Sequence, residues 1–335
     1  MDILYISGFI LCGAIIFFAG KKLSYYGDLL AEKTGLSKGW IGLILMASVT
    51  SLPELMVGIS SSAIVQSADL AIGDILGSCA FNLGILAMLD AFIPKHKPLL
   101  GLVSPNHMLN AGLGIILLSL VGFALTLPKE IVVAPWIGLS SIVFIVVYLI
   151  SIRVIFKNEK KNHKTETESG QEKHGSKISL RSVISGYVVF AFIIIAAALA
   201  LPFFADHIAE MTGLGKSFVG TFFLAVSTSL PEIAVSIAAV RIGSADLAVG
   251  NLLGSNIFNV FILAIDDIFY TKGLLLKDAS DIHIISVLST IMMSAVVVIG
   301  LSYRAIGKRY MLAMDAVVIF LIYLVNLLFL YHFTS

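Results

Sequence analysis

Two short stretches carry the groups most able to do chemistry: "ASVTSLPE" at residues 47–54 and "AVSTSLPE" at residues 225–232. Each sets a carboxylate, Glu54 or Glu232, beside a proline and two hydroxyl residues, inside an apolar run long enough to cross a membrane. Pro53 has no N–H, so the carbonyl near Val49 loses its helical partner and the preceding turn is disturbed. Thr50 and Ser51 lie in that turn, as Thr228 and Ser229 do before Pro231. The result is a gathering of oxygens: freed carbonyls, two hydroxyls and a carboxylate. Unpaired backbone survives at membrane depth only where it is buried in protein or lines a cavity, and a bound cation can replace the lost hydrogen bonds.

A second pair of motifs follows, "GDILGSCAFN" from Gly73 and "GNLLGSNIFN" from Gly250. Ser78 and Asn82 are one helical turn apart and share a face, as do Ser255 and Asn259; Asp74 extends the first face by another turn. Gly73, Gly77, Gly250 and Gly254 stand at the small-xxx-small spacing that lets helices approach closely. Oxygen ligands with carboxylates suit hard cations such as Ca²⁺. Apart from Cys79 the strips offer no sulfur and no imidazole, which argues against Zn²⁺ or copper. A charge at a helix centre costs about 2.5–3.5 kcal/mol, so residues such as Glu54 and Glu232 mark ion pathways. Together they bring about −2 to one place, which cations or protons must neutralise. One Ca²⁺ does so, and Na⁺ ions do so alternately; competition for one charge-matched site is the basis of antiport.

The composition says what holds these residues. Hydrophobic residues make up 58% of the 335 and charged residues 13%, with mean hydropathy +1.00. A globule buries only about three quarters of its chain surface, so so apolar a sequence is expected to be an all-α polytopic membrane protein. Runs suited to about ten transmembrane helices lie near 3–20, 39–65, 69–92, 108–127, 131–155, 182–204, 217–241, 246–269, 283–303 and 311–331. The first run has no basic region before it and no cleavage site after it, so it reads as a span and not a signal peptide. Cys12 and Cys79 both lie in apolar runs and imply no disulfide framework. The polar segment from Lys157 to Lys177 reads as a disordered linker.

The repeat is the strongest feature. "GDLLAEKTGLSKGWIGLILMASVTSLPELMVGI" from Gly27 matches "ADHIAEMTGLGKSFVGTFFLAVSTSLPEIAVSI" from Ala205 at a constant offset of 178, and "SADLAIGDILGSCAFN" from Ser67 matches "SADLAVGNLLGSNIFN" from Ser244 at 177. Five spans separate equivalent helices, so the copies insert in opposite senses, as two inverted five-helix repeats with a site at the midplane. The division expected is 1–156 for the first half, 157–180 for a charged linker and 181–335 for the second half. Basic residues gather after odd-numbered spans (Lys21, Lys22, Lys33 and Lys38; Lys95 and Lys97; the linker; Arg241; Arg304, Lys308 and Arg309). That places those loops and the linker in the cytoplasm and both termini outside. Trp40 and Trp136 are expected at the interfaces.

At these motifs the sequence resembles the cation/Ca²⁺ exchanger superfamily, and within it the Na⁺/Ca²⁺ exchanger branch. "TSLPE" followed by "GDILGSCAFN", and again by "GNLLGSNIFN", look like that family's two α-repeats, and the resemblance covers essentially the whole chain. It implies that Glu54 and Glu232 are the central carboxylates shared by Ca²⁺ and Na⁺. The backbone carbonyls of Thr50 and Thr228 would join them at the Ca²⁺ site, and Ser51, Ser78, Ser229 and Ser255 would help form flanking Na⁺ sites. Asn82 and Asn259 take the last motif position, where some members carry Asp; Asn259 argues against K⁺ co-transport. The resemblance also implies that spans 1 and 6 slide against the rest. Two residues depart from the pattern: Cys79 replaces the Asn seen at 256, and Asp74 stands where Asn is usual and where the second copy has Asn251. Ionised, it would raise the local charge to about −3, which three Na⁺ balance; as a hydrogen-bonding group it would change nothing.

The function expected is therefore Na⁺/Ca²⁺ antiport by a monomer in the cell (plasma or inner) membrane. The alternative is H⁺/Ca²⁺ exchange with the same glutamates as proton carriers. The abundance of hydroxyls and amides favours Na⁺. The partners are the two ions and the lipid bilayer, with no nucleic acid and no cofactor, the ions binding as substrates. No H-E-x-x-H motif suggests an enzyme, and the inverted repeat argues against a passive channel. Asp90 and Asp267, also repeat-equivalent, read either as cation attractors at the two mouths or as ordinary interfacial carboxylates; Asp266 and Asp315 read as boundary residues. The histidines fall in loops and at helix ends, with no relay implied.

Overall fold

The computed structural model describes residues 2–34, 47–93, 97–127, 131–163, 179–241, 243–304, 307 and 311–334. Helices dominate. In chain order they are α1 (Asp2–Thr34), α2 (Ala47–Thr50), α3 (Leu52–Ser60), α4 (Ala68–Leu89), α5 (His107–Thr126), α6 (Leu139–His163), α7 (Leu180–Thr212), α8 (Ala225–Thr228), α9 (Leu230–Arg241), α10 (Ala245–Phe269), α11 (His283–Tyr303) and α12 (Met314–Thr334). Eight of them are long and apolar enough to cross a membrane, and the bent segment Lys216–Thr228 plus Leu230–Arg241 makes a ninth, all among the described residues. The span expected at 39–65 is described only from Ala47, so its first turns lie outside those residues, as do Trp40, Lys38 and most of the linker.

Three boundaries differ from expectation. Helix α1 runs through Lys21 and Lys22 to Thr34, and α6 continues past Lys157 to His163; charged side chains end an apolar run without ending a helix. The span expected from 131 begins instead at Leu139. The residues before it form a hairpin, β1 (Val132–Ala134) against β2 (Ile137–Gly138). Pro135 between the strands cannot donate a helical hydrogen bond, and Val132 and Val133 are β-branched residues that favour extended backbone. Trp136, in the turn, donates from its indole N–H to Ile268 O at 3.0 Å.

Helices α4 and α10 are the axis of the molecule. Buried residues number 20 of the 22 in α4 and 17 of the 25 in α10, glycines and polar residues included, as a helix must be when other helices surround it. They lie antiparallel. Asp69 at the start of α4 meets Ser280 and His283, just beyond the end of α10. Asp246 at the start of α10 meets Ser104 and His107, just beyond the end of α4. Equivalent residues of the two copies thus sit at opposite ends of one axis, which is the inversion that the repeat predicts.

Around the axis the apolar side chains divide. One pair of clusters joins α4 and α10 to α5, α6, α11 and α12. A separate pair is built chiefly where α1 meets α7, from Phe9, Cys12 and Ile16 against Ala197, Ala198 and Leu201, and from Ala19 and Leu23 against Ile194.

Candidate ion-binding site

Each "TSLPE" stretch breaks its helix within the turn foreseen. Ser51 separates α2 from α3 with φ −86° and ψ 14°, and Ser229 separates α8 from α9 with φ −82° and ψ 10°. The second break bends the span by 46°. The cause in both is the proline two residues on, which cannot return a hydrogen bond and crowds the turn before it.

The breaks turn their hydroxyls toward the opposite copy. Ser51 Oγ donates to Glu232 Oε1 at 3.3 Å, and Ser229 Oγ donates to Glu54 Oε1 at 3.1 Å. Thr50 Oγ1 donates to Asn251 Oδ1 at 3.5 Å, and Thr228 Oγ1 lies 3.1 Å from Asp74 Oδ1. Every one of these bonds runs from one repeat to the other, and each has its symmetry mate. Ser255 adds a 3.5 Å bond to Glu232 Oε1. Ser78 Oγ stands 3.2 Å from Ser229 Oγ and 3.3 Å from Thr228 Oγ1. Thr228 has one hydroxyl proton for three acceptors, because Leu224 O at 3.1 Å and Ala225 O at 3.2 Å compete with Asp74.

Close approach of α4 makes this possible. A Cβ at Gly77 would fall 2.2 Å from Thr221 O and 2.7 Å from Ala225 Cβ, and one at Gly73 would fall 3.0 Å from Gly220 Cα. Thr221, Ala225 and Thr228 follow each other along one helical face, so the contact at Gly77 is what brings Thr228 against Asp74 and Ser78.

Glu54, Glu232 and Asp74 are all fully buried, and each keeps one oxygen with no hydrogen-bond partner: Glu54 Oε2, Glu232 Oε2 and Asp74 Oδ2. A buried acceptor left unmet costs about 1–3 kcal/mol, more when charged. Three such oxygens beside seryl and threonyl hydroxyls are the acceptors that a small hard cation satisfies. Among the described residues no three His, Cys, Asp or Glu side chains converge as a metal-holding group. Ligation here would mix carboxylate with hydroxyl, amide and carbonyl oxygen.

The asparagines behave differently from the hydroxyls. Asn82 donates from Nδ2 to Asn256 Oδ1 at 3.0 Å, and Asn256 donates to Cys79 O at 3.0 Å. Asn82 thus ties α4 to α10 beside the site. Asn259 is fully buried with neither side-chain polar atom bonded. Sequence reasoning did not place Asn251 or Asn256 in the site, although the repeat alignment set them opposite Asp74 and Cys79. Asp266, read as a boundary residue, does lie near the end of α10, but it is fully buried with both carboxylate oxygens unmet. Asp90 and Asp267 bond the chain itself. Asp90 accepts from Leu99 N and Ala313 N, each at 2.7 Å. Asp267 accepts from Leu275 N at 3.0 Å, Gly138 N at 3.1 Å and Ser141 Oγ at 2.6 Å. They pin the short segments at the two ends of the axis.

The family model described as "Sodium/calcium exchanger protein" matches residues 4–157 and 182–332, nearly the whole chain. The chain belongs to the sodium/calcium exchanger family. Its members are secondary transporters rather than enzymes, and this exchanger is an integral membrane protein that exchanges cations with Ca²⁺. The sodium/calcium exchanger MaX1 of Methanosarcina acetivorans is 27% identical over 273 residues, covering 72% of this chain and 76% of MaX1. The inner membrane protein YrbG of Escherichia coli is 26% identical over 261 residues, 74% of each chain. Among solved structures, the sodium-calcium exchanger NCX_Mj aligns over 97% of this exchanger with a TM-score of 0.62 and 22% identity. The H⁺/Ca²⁺ exchanger CAX aligns over 98% with a TM-score of 0.70 and 16% identity. Both show the same fold, whatever the counter-ion.

Proposed function

We propose that the exchanger moves Na⁺ one way and Ca²⁺ the other, by alternating access at a midplane site centred on Glu54 and Glu232. The observation that carries this reading is the reciprocal bonding of the two breaks, Ser51 to Glu232 and Ser229 to Glu54. Either carboxylate is held by the other copy's hydroxyl, so the site exists only where the halves meet. Ca²⁺ would take the unmet oxygens of Glu54 and Glu232, with the carbonyls of Thr50 and Thr228 completing its shell. Na⁺ ions would take flanking positions among Ser51, Ser78, Ser229 and Ser255. Asn82 and Asn259 would border these positions, Asn82 from its bond to Asn256. Asp74 would set the local charge and hold Thr228.

Occupancy by Ca²⁺ together with the full set of Na⁺ ions would exceed the charge of Glu54, Glu232 and Asp74, about −3 at most. Competition for those oxygens is then what couples the two fluxes. The separate cores at the α1–α7 contact support these two helices as the body that slides. The basic loops support a cytoplasmic linker in the cell membrane of the host. Counter-ion identity follows from proteoliposomes loaded with Na⁺ and diluted into Na⁺-free buffer containing radiolabelled Ca²⁺. Uptake that needs the Na⁺ gradient and ignores an imposed pH gradient is expected. Uptake driven by the pH gradient alone would make the protein an H⁺/Ca²⁺ exchanger.

A further inference from the structure

The two copies are not equal on their outer flanks. Along the first copy the face that bears Glu54 continues to Gly58 and then to Ser61 and Ser62, at one-turn spacings. At Ser61 the α-helix gives way to a π-helical segment, Ser61–Val65, a distortion frequently found at functional sites. Opposite lies α10, whose Ser255 and Asn259 are followed two turns on by Asp266. The Asp266 carboxylate rests on Gly58: a Cβ there would fall 2.3 Å and 2.4 Å from its two oxygens. Asp266 is fully buried, and neither oxygen has a hydrogen-bond partner. Ser61 Oγ and Ser62 Oγ are also buried and unmet. Asp74, with its own unmet Oδ2, lies within Coulombic range of Asp266.

The second copy lacks the carboxylate and the paired hydroxyls, and keeps one buried, unmet hydroxyl at Ser236. The residue equivalent to Asp266 is Leu89; those equivalent to Gly58, Ser61 and Ser62 are Ser236, Ala239 and Val240. A buried carboxylate with no hydrogen-bond partner costs far more than the packing it provides, and such groups inside a membrane mark ion pathways. Asp267, one residue on, is fully used by three donors, so the unmet oxygens of Asp266 do not serve to fasten the loop. They lie between the central site and the membrane face carrying residues 66–68 and 270–283.

We propose that Asp266 is a second Ca²⁺-binding station, completed by the hydroxyl oxygens of Ser61 and Ser62, through which the ion passes between the Glu54–Glu232 site and that one face of the membrane. The Asp266 carboxylate with neutral hydroxyl oxygens, and the Asp74 carboxylate within Coulombic range, favour a divalent ion. Gly58 is glycine because any side chain would displace the carboxylate. The pathway therefore carries a buried, unmet carboxylate on one flank and leucine at the equivalent position on the other. The identity of the ion rests on the exchange reading; the existence of the station does not.

The test is equilibrium binding of radiolabelled Ca²⁺ to the purified full chain in detergent, without any gradient. Wild type is expected to bind in two events, a tight and a weaker one. Asp266→Asn keeps the shape of the side chain and breaks no hydrogen bond; it should lose the weaker event and keep the tight one. Gly58→Ala, which leaves Asp266 in place but displaces its carboxylate, should do the same. Glu54→Gln should show the reverse. A wild-type titration with a single event, or an Asp266→Asn titration indistinguishable from wild type, overturns the proposal. Two events with the expected losses, in a protein whose uptake ignores a Na⁺ gradient, would uphold the station and overturn the Na⁺-exchange reading.

Discussion

Gly77→Ala puts the architecture of the site under the most direct strain. The added methyl would stand 2.2 Å from the carbonyl oxygen of Thr221 and 2.6 Å from its Cα, both backbone atoms that cannot rotate away. Ordinary contact begins at 3.4 Å, so α4 must move about 1.2 Å from the segment it crosses. That displacement falls on the face where Thr228 reaches Asp74 at 3.1 Å and Ser229 stands 3.2 Å from Ser78. Stretched by an ångström, neither contact remains a hydrogen bond. Overpacking costs about 1–3 kcal/mol, and a hydrogen bond to a charged group adds about 1.5–3 kcal/mol. The overpacking lowers the unfolding temperature, while the lost bond, on the order of 2 kcal/mol, corresponds to a fall of about 30-fold in uptake. Initial rates of radiolabelled Ca²⁺ uptake into proteoliposomes measure it, with thermal unfolding in detergent alongside. Gly112→Ala and Gly114→Ala are the controls, since a Cβ at either meets nothing within 4 Å. Wild-type uptake and an unchanged unfolding temperature in Gly77→Ala would refute the claim that this crossing sets the site.

Ser51→Ala and Ser229→Ala each remove the hydroxyl that one copy lends the other's glutamate, at about 1.5–3 kcal/mol for a bond to a charged group. The two variants should weaken Ca²⁺ binding by similar factors in the same equilibrium assay, and a large effect from one with none from the other would contradict the reciprocal geometry. Asp267→Leu leaves two backbone N–H groups and the Ser141 hydroxyl without their acceptor. It should lower stability by about 2–3 kcal/mol, read as a drop in unfolding temperature, with the tight Ca²⁺-binding event at Glu54 and Glu232 unchanged. Asp90→Leu should lower stability by a similar amount, since Asp90 takes two backbone donors at the other end of the axis.

Much of this was legible from the residues alone. The repeat offsets gave the inversion, because five spans between equivalent helices leave no other insertion. The prolines gave the breaks at Ser51 and Ser229, because a missing N–H is a local fact that tertiary structure does not undo. What escaped was long-range pairing. The sequence shows that Ser229 lies beside Glu232, but the fold hands it to Glu54. Asp266 and Asp267 are neighbours of identical type, and only the fold distinguishes the one that fastens three donors from the one left bare. The hairpin at Val132–Gly138 was hidden by hydropathy, since a strand and a span can be equally apolar over a few residues.

The account stands on Glu54 and Glu232 acting as one site. Na⁺-gradient-driven uptake of radiolabelled Ca²⁺ should be compared in proteoliposomes for wild type, Glu54→Gln and Glu232→Gln, with folding checked by thermal unfolding of each. Both variants should fold and neither should exchange, because each glutamine removes one of the two charges that a Ca²⁺ ion needs balanced. Substantial exchange by either folded variant would contradict the account.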